Sequence, residues 1–136
     1  MSLTAIRAAL ETTLNAMSPA LVTIWENTEA SAPVNGTPYQ RVFLLPGPPR
    51  NIEIGPSYTE QGYLQVSLYY PLGTGPAAAT ARAEAIRAAF KFASTHTASG
   101  VTVLVTATPE IGPARTEDDL YFLPVRVRFE AQIYGG

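Results

Sequence analysis

The sequence predicts an α+β fold: a mainly antiparallel five-stranded sheet with two helices packed on one face, in the order α-β-β-β-α-β-β. Two amphipathic stretches at helical spacing and a set of alternating or β-branched runs carry that expectation. Between them cluster twelve prolines and ten glycines, which mark ordered turns rather than disorder. At 136 residues the chain reads as one domain, 1–136, long enough for a hydrophobic core.

Leu3, Ile6, Leu10, Leu14 and Met17 share one helical stripe, with Ala9 and Thr13 beside it and Arg7, Glu11, Thr12 and Asn15 away from it. Ser2 is placed to cap this helix. Pro19 ends it, because the residue before a proline avoids the α region. Leu21 to Glu26 is a short strand rich in β-branched and aromatic residues. A turn-rich stretch, 27–38, follows, in which Asn35-Gly36 favours the positive φ of a tight reversal. Tyr39 to Leu45 is the second strand, halted by Pro46-Gly47-Pro48-Pro49. The connection 46–62 has no clear period, and loops of that length inside a compact domain are usually functional or mobile.

Gly62 to Tyr70 alternates cleanly, with Leu64, Val66, Leu68 and Tyr70 on one face and Tyr63, Gln65, Ser67 and Tyr69 on the other. The second helix is expected from about Pro76 to Ala93. Ala79, Ala83, Ile86, Ala89, Phe90 and Ala93 form its buried stripe, and Arg82, Glu84, Arg87 and Lys91 its wet side. Ser99-Gly100 turns the chain into a fourth strand, Val101 to Thr108. Pro109, Gly112 and Pro113 then mark a loop ending in the acidic tip Glu117-Asp118-Asp119. The last strand is the longest alternation: Tyr121, Leu123, Val125, Val127, Phe129, Ala131 and Ile133 face one way, Arg126, Arg128, Glu130 and Gln132 the other. Pro124 lacks a ladder donor and so predicts an edge, a bulge or a strand start.

Composition narrows the function. The net charge is −2 and no Lys/Arg run exists, which argues against an electrostatic clamp on nucleic acid. Absence of cysteine excludes disulfides, thiolate metal sites and a cysteine nucleophile. No window approaches the roughly eighteen apolar residues of a membrane span, and the N-terminus does not read as a secretory signal. A soluble protein made in a cytoplasm is expected. Only 15% of residues are charged, which suggests a surface partly covered by other subunits.

Gly73-Thr74-Gly75-Pro76-Ala77-Ala78 fits the dinucleotide pattern G-x-G-x-x-A between a strand and a helix. The strand before it alternates with Gln65 and Ser67, unlike a parallel strand buried on both faces. Pro76 removes an amide where phosphate would bind, and no acidic residue ends a following strand. The segment is a turn and a proline-started helix. His96 is the lone histidine and reads as a polar residue after a helix, complementing its dipole. Glu117-Asp118-Asp119 lacks the spaced ligands of a calcium loop and reads as a solvated hairpin tip. The tyrosines are not interleaved with lysine and arginine as base stackers are, and suit a core or a subunit interface.

Trp25-Glu26-Asn27-Thr28 and Gly36-Thr37-Pro38-Tyr39, leading into Arg41-Val42-Phe43-Leu44-Leu45-Pro46-Gly47, resemble the first half of the phage tail terminator proteins of long-tailed phages. Gly62-Tyr63-Leu64-Gln65-Val66, Tyr70-Pro71, Gly73-x-Gly75, Ala85-Ile86 and Phe90 resemble that family's centre, and Leu123-Pro124-Val125 its end. The resemblance implies a structural, non-enzymatic protein of the virion tail that assembles in the host cytoplasm. It implies a ring, typically a hexamer, that caps the tail tube, stops its growth and presents a surface to the head connector. DNA would pass through without specific binding. The partners are then further copies of the chain, the tail tube protein and the connector, with no membrane. No catalytic, cofactor or metal residue comes with the motifs.

A ring subunit needs two different, mutually complementary surfaces. Arg50, Glu53, Tyr58, Glu60, Tyr63, Arg126 and Arg128 are the candidate contacts to a neighbouring subunit or the tube. Glu117, Asp118 and Asp119 are candidates to face the channel and repel DNA. Competing expectations are another head–tail joining or tail-tube-like protein, and a small-ligand-binding or enzymatic α+β domain.

Overall fold

The computed structural model describes residues 2–17, 21–26, 37–51, 55–73, 76–117 and 120–134, apart from the side chains of Ser2 and Glu117. Along the chain run α1 (Ser2–Asn15), β1 (Val22–Ile24), β2 (Tyr39–Pro46), β3 (Tyr58–Pro71), α2 (Ala77–Ala89), β4 (Thr95–Ala98), β5 (Val101–Val105), β6 (Glu110–Ile111), β7 (Arg115–Glu117) and β8 (Leu120–Ile133). The eight strands form one mixed sheet in the order β1-β2-β3-β8-β5-β4, with β6 and β7 also paired to β8. The α+β class holds. The five-stranded, mainly antiparallel sheet expected from sequence is corrected to an eight-stranded mixed one, for three physical reasons.

First, β1 runs parallel to β2, with Val22 beside Tyr39 and Ile24 beside Arg41. A parallel neighbour needs a crossover of about a dozen residues or more, which 25–38 supplies, so these strands are not a hairpin. The reversal expected at Asn35-Gly36 lies outside the described residues. Second, the stretch read as a proline–glycine loop keeps returning to β8. Residues 106–109 stand against only 127–128, and 112–114 against only 123–124, so one long partner strand bulges twice and splits into β5, β6 and β7. Pro124 sits opposite the second bulge, where its carbonyl accepts from Gly112 N at 2.9 Å. Its missing N–H therefore falls at a break in the ladder, and it is tolerated in the middle of a central strand.

Third, α2 stops at Ala89, not Ala93, and Phe90 closes it with a non-helical backbone (φ −115°, ψ 46°). Thr95–Ala98 then forms an edge strand against β5. Ser99 and Gly100 both have positive φ (51° and 78°), as a two-residue hairpin loop requires. β3 also begins at Tyr58, four residues before the expected Gly62.

Both helices cover the same face. Ile6, Leu10 and Leu14 of α1 and Ala79, Ala83 and Ile86 of α2 join Val42, Leu64, Val66, Leu68, Val125 and Val127 in one buried core. Alanines at the α2 contact bring its backbone close to the sheet. Arg82, expected on the wet side, is buried instead, near Tyr70. Burial lowers the Arg82 pKa and raises that of Tyr70.

Beyond the short β1, the edge of β2 is closed by a side chain. The Glu26 carboxylate accepts from Leu44 N at 3.0 Å and from Arg7 at 3.0 Å, tying α1 to the sheet. The Leu44 amide and then Arg7 hold the Glu26 pKa below its ordinary value.

At Gly62 the backbone of β2 comes close to β3. A Cβ there would run into Leu45 O, and would meet Pro46 Cα at 2.8 Å and Gly47 N at 3.0 Å. These are backbone atoms that cannot swing away. Gly62→Ala is therefore expected to destabilise the fold by about 1–3 kcal/mol. Urea titration should show a lower midpoint with an unchanged slope; an unchanged midpoint would mean that the two strands are not in this contact.

Candidate interaction face of the sheet

Strand alternation sends every second residue of β2, β3 and β8 away from the helices. Among the described residues this opposite face is exposed at Phe43, Leu45, Arg126 and Arg128, while Tyr39, Ser67 and Phe122 on it are buried. The register sets its residues in rows. Tyr39, Tyr69, Phe122 and Arg115 form one row, and Arg41, Ser67 and Pro124 the next. Phe43, Gln65, Arg126 and Glu110 follow, then Leu45, Tyr63 and Arg128.

The first row is an aromatic ladder across three strands. The Tyr39 and Tyr69 rings stack at 4.9 Å and 10°, and Tyr69 meets Phe122 at 5.1 Å and 49°. Arginines flank these rings. Arg115 lies 4.6 Å from the Phe122 centroid and Arg41 5.8 Å from that of Tyr39, while Tyr63 has Arg126 at 5.0 Å and Arg128 at 5.9 Å. Arg126 Nε donates to Gln65 Oε1 at 3.2 Å, and Gln65 donates on to Ser67 Oγ at 3.1 Å. Arg50 reaches the same face through its ion pair with Glu130 at 2.9 Å. Two open grooves, of about 480 and 380 Å³, meet at Leu45 and Pro46.

The sequence-predicted interface set is thus only partly brought together. Tyr63, Arg126 and Arg128 are mutual neighbours, and Arg50 joins them through Glu130. Tyr58 and Glu60 belong to β3 but alternate onto the helix side, opposite Ile133 and Ala131, and Glu60 is buried. Glu53, Asp118 and Asp119 lie outside the described residues, and Glu117 is placed by its backbone alone, opposite Leu120. Sequence reasoning missed Arg41, Arg115 and the Tyr39–Tyr69–Phe122 ladder. Continuing the alternation of Tyr39, Arg41 and Phe43 across the sheet would have found most of them.

His96 sits on β4, not at a helix end. Thr13 Oγ1 donates to Ala9 O at 3.3 Å, which lets it accept from the His96 Nδ1–H at 2.9 Å; Ser94 then donates to Nε2 at 3.2 Å. The ring also tilts against Phe90 at 5.1 Å. This arrangement suits a neutral imidazole, and burial lowers the His96 pKa in the same sense. Hydroxyls occupy both ring nitrogens, so no carboxylate is there to stabilise an imidazolium. The G-x-G-x-x-A stretch follows a β3 that is antiparallel to both its neighbours, so it does not belong to a parallel βαβ unit.

The model of the phage tail terminator protein family matches residues 5–129. The chain belongs to that family and is a phage tail assembly protein. A solved structure whose designation names no function is similar over 100% of this chain and 99% of its own, at 27% identity and a TM-score of 0.78. No curated protein matches by sequence. The family resemblance carried by the Trp25, Gly36–Gly47, Gly62–Val66 and Leu123–Val125 motifs is borne out. No helix among the described residues is long and apolar enough to cross a membrane.

The pKa of His96 makes folding pH-dependent in a defined direction. A histidine lowered in the folded state binds fewer protons there than in the unfolded chain, where it titrates near pH 6.5. Its contribution is complete above that value and is lost as pH falls below it. The urea midpoint should therefore fall between about pH 7.5 and 5.5. His96→Gln should flatten this dependence; an equal fall in the variant would show that His96 is not its source.

Proposed function

We propose that this chain is a structural ring subunit, six to a ring, that caps the tail tube, ends its elongation and offers its outer end to the head-joining protein. The observation that carries this reading is the family match along nearly the whole chain, residues 5–129. The sheet supports it physically. Its two edges, β1 and β4, are different, and its open face is different again from the helix-covered one. A subunit with unlike surfaces associates head to tail, and such an interface closes into a ring when its rotation permits. The open face is rich in arginine and aromatic residues, the types enriched where protein surfaces meet.

The role is assembly, not catalysis. The partners are further copies of the chain, the tail tube protein and a connector, and the place of action is the head-proximal end of the virion tail. DNA passes through the ring without sequence-specific contact, in keeping with a net charge of −2.

Deleting the gene tests this reading against its neighbours. Electron microscopy of the resulting lysate is expected to show tails of excessive, uneven length that lack heads, with normal tails restored by the gene in trans. Tails of normal length without heads would point to a joining protein. Absence of tubes would point to a tube component, and normal virions would refute an assembly role.

A further inference from the structure

We infer that α1 is a strap that opens as one unit while the central sheet stays folded. Two side-chain clasps, Glu26 at one end of the strand order and His96 at the other, set how readily it opens. The device belongs to the folded subunit itself and does not depend on what that subunit assembles with.

The sheet ends on one side in β1 and the stretch of β2 that runs past it, and on the other in β4. α1 lies over β4 and β5 and is fastened to both ends. At the first end a single oxygen, Glu26 Oε1, accepts from the Leu44 amide and from Arg7 Nη1, each at 3.0 Å. Arg7 thus ties the helix to the same atom that closes the β2 edge. Glu11, one turn on, approaches the same Arg7 nitrogen at 3.5 Å. At the other end Thr13 Oγ1 meets His96 Nδ1 at 2.9 Å. Among the described residues, Arg7–Glu26 is the one ion pair between α1 and the rest of the molecule.

α1 needs these clasps because it has little stability of its own. Its 14 residues fall in the length range where an isolated helix is marginal in water. No acid stands in its first turn and no base in its last, so side-chain charges do not complement its dipole at either end. What holds it is side-chain contact: the buried Ile6, Leu10 and Leu14, and the two clasps. β3 and β8 are instead joined by backbone pairing along their whole lengths. Elements held by side chains alone open at lower free energy than a central ladder. Undocking α1 uncovers the core over β4 and β5. It also strips Glu26 of its cation, which loosens the carboxylate's hold on the β2 edge.

The test is amide hydrogen exchange of the full chain, resolved by NMR and expressed as protection factors. The amides of Ile6 to Leu14 should share one opening equilibrium, about 10-fold or more easier than that of the β3–β8 ladder, with a smaller dependence on urea. Arg7→Gln and Thr13→Val should each lower α1 protection about 3-fold, and the double variant about 10-fold, because the two clasps act independently. Gly62→Ala weakens a β2–β3 contact that survives when α1 opens, so it should lower protection of the ladder and leave that of α1 unchanged. Circular dichroism establishes that each variant is folded.

α1 protection that falls with Gly62→Ala as far as the ladder's does would show that α1 opens only with the whole fold, and would overturn the inference. An equal urea dependence of α1 and the ladder in the unaltered chain would overturn it without any variant. Unchanged α1 protection in the Arg7→Gln/Thr13→Val double variant would show that the clasps do not control the strap.

Discussion

The antiparallel ladder between Tyr58–Pro71 and Leu120–Ile133 holds the rest of the molecule in place. It pairs β3 with β8 along their whole lengths, through the centre of the sheet. β2 and then β1 extend from the outer side of β3, while β5, β6 and β7 lie in turn along the far side of β8. Its register also decides what each face carries. Slipping by one residue would send Leu64, Val66, Val125 and Val127 to solvent and bring Tyr63, Arg126 and Arg128 under the helices. Burying those two arginines without carboxylates would be prohibitive, so the hydrophobic pattern fixes the open face as firmly as it fixes the core.

Magnitudes separate the work of the two faces. Burying side chains such as Leu64, Val66 and Ile86 contributes roughly 1.5–3 kcal/mol each, and the core has many of them. A cation–π contact at an exposed site contributes roughly 0.5–1 kcal/mol, and an exposed ion pair such as Arg50–Glu130 little more than nothing. Each of the two ring pairs of the aromatic ladder adds roughly 0.5–1.5 kcal/mol. Removing the outward arginines would leave the fold standing. Their place on one face of the sheet therefore calls for an explanation outside stability.

Much of this was legible in the residues. The period of Ile6, Leu10 and Leu14 gave α1, and the alternations of β3 and β8 gave both faces of the central ladder. Tyr63, Arg126 and Arg128 followed from those alternations. What was hidden has physical causes. β4 is a short polar edge strand, and edges need no hydrophobic pattern. β6 and β7 are separated by bulges, and bulges recruit the Pro and Gly residues that usually announce loops. The parallel β1–β2 pair depends on a crossover, which strand-forming residues do not encode. Tyr58 and Glu60 were misplaced because β3 was started at Gly62; that glycine answers to the close approach of β2, not to a strand end. Arg82 and His96 were read by polarity alone, whereas tertiary packing buries the first and places the second between two hydroxyls.

The central claim is that this chain forms the ring at the head-proximal end of the tail. A reconstruction of intact virions at that position measures it directly. The account predicts a closed ring of six identical subunits between tube and connector. Density at the tail end that cannot accommodate this fold, or that shows no closed ring of it, would contradict the account.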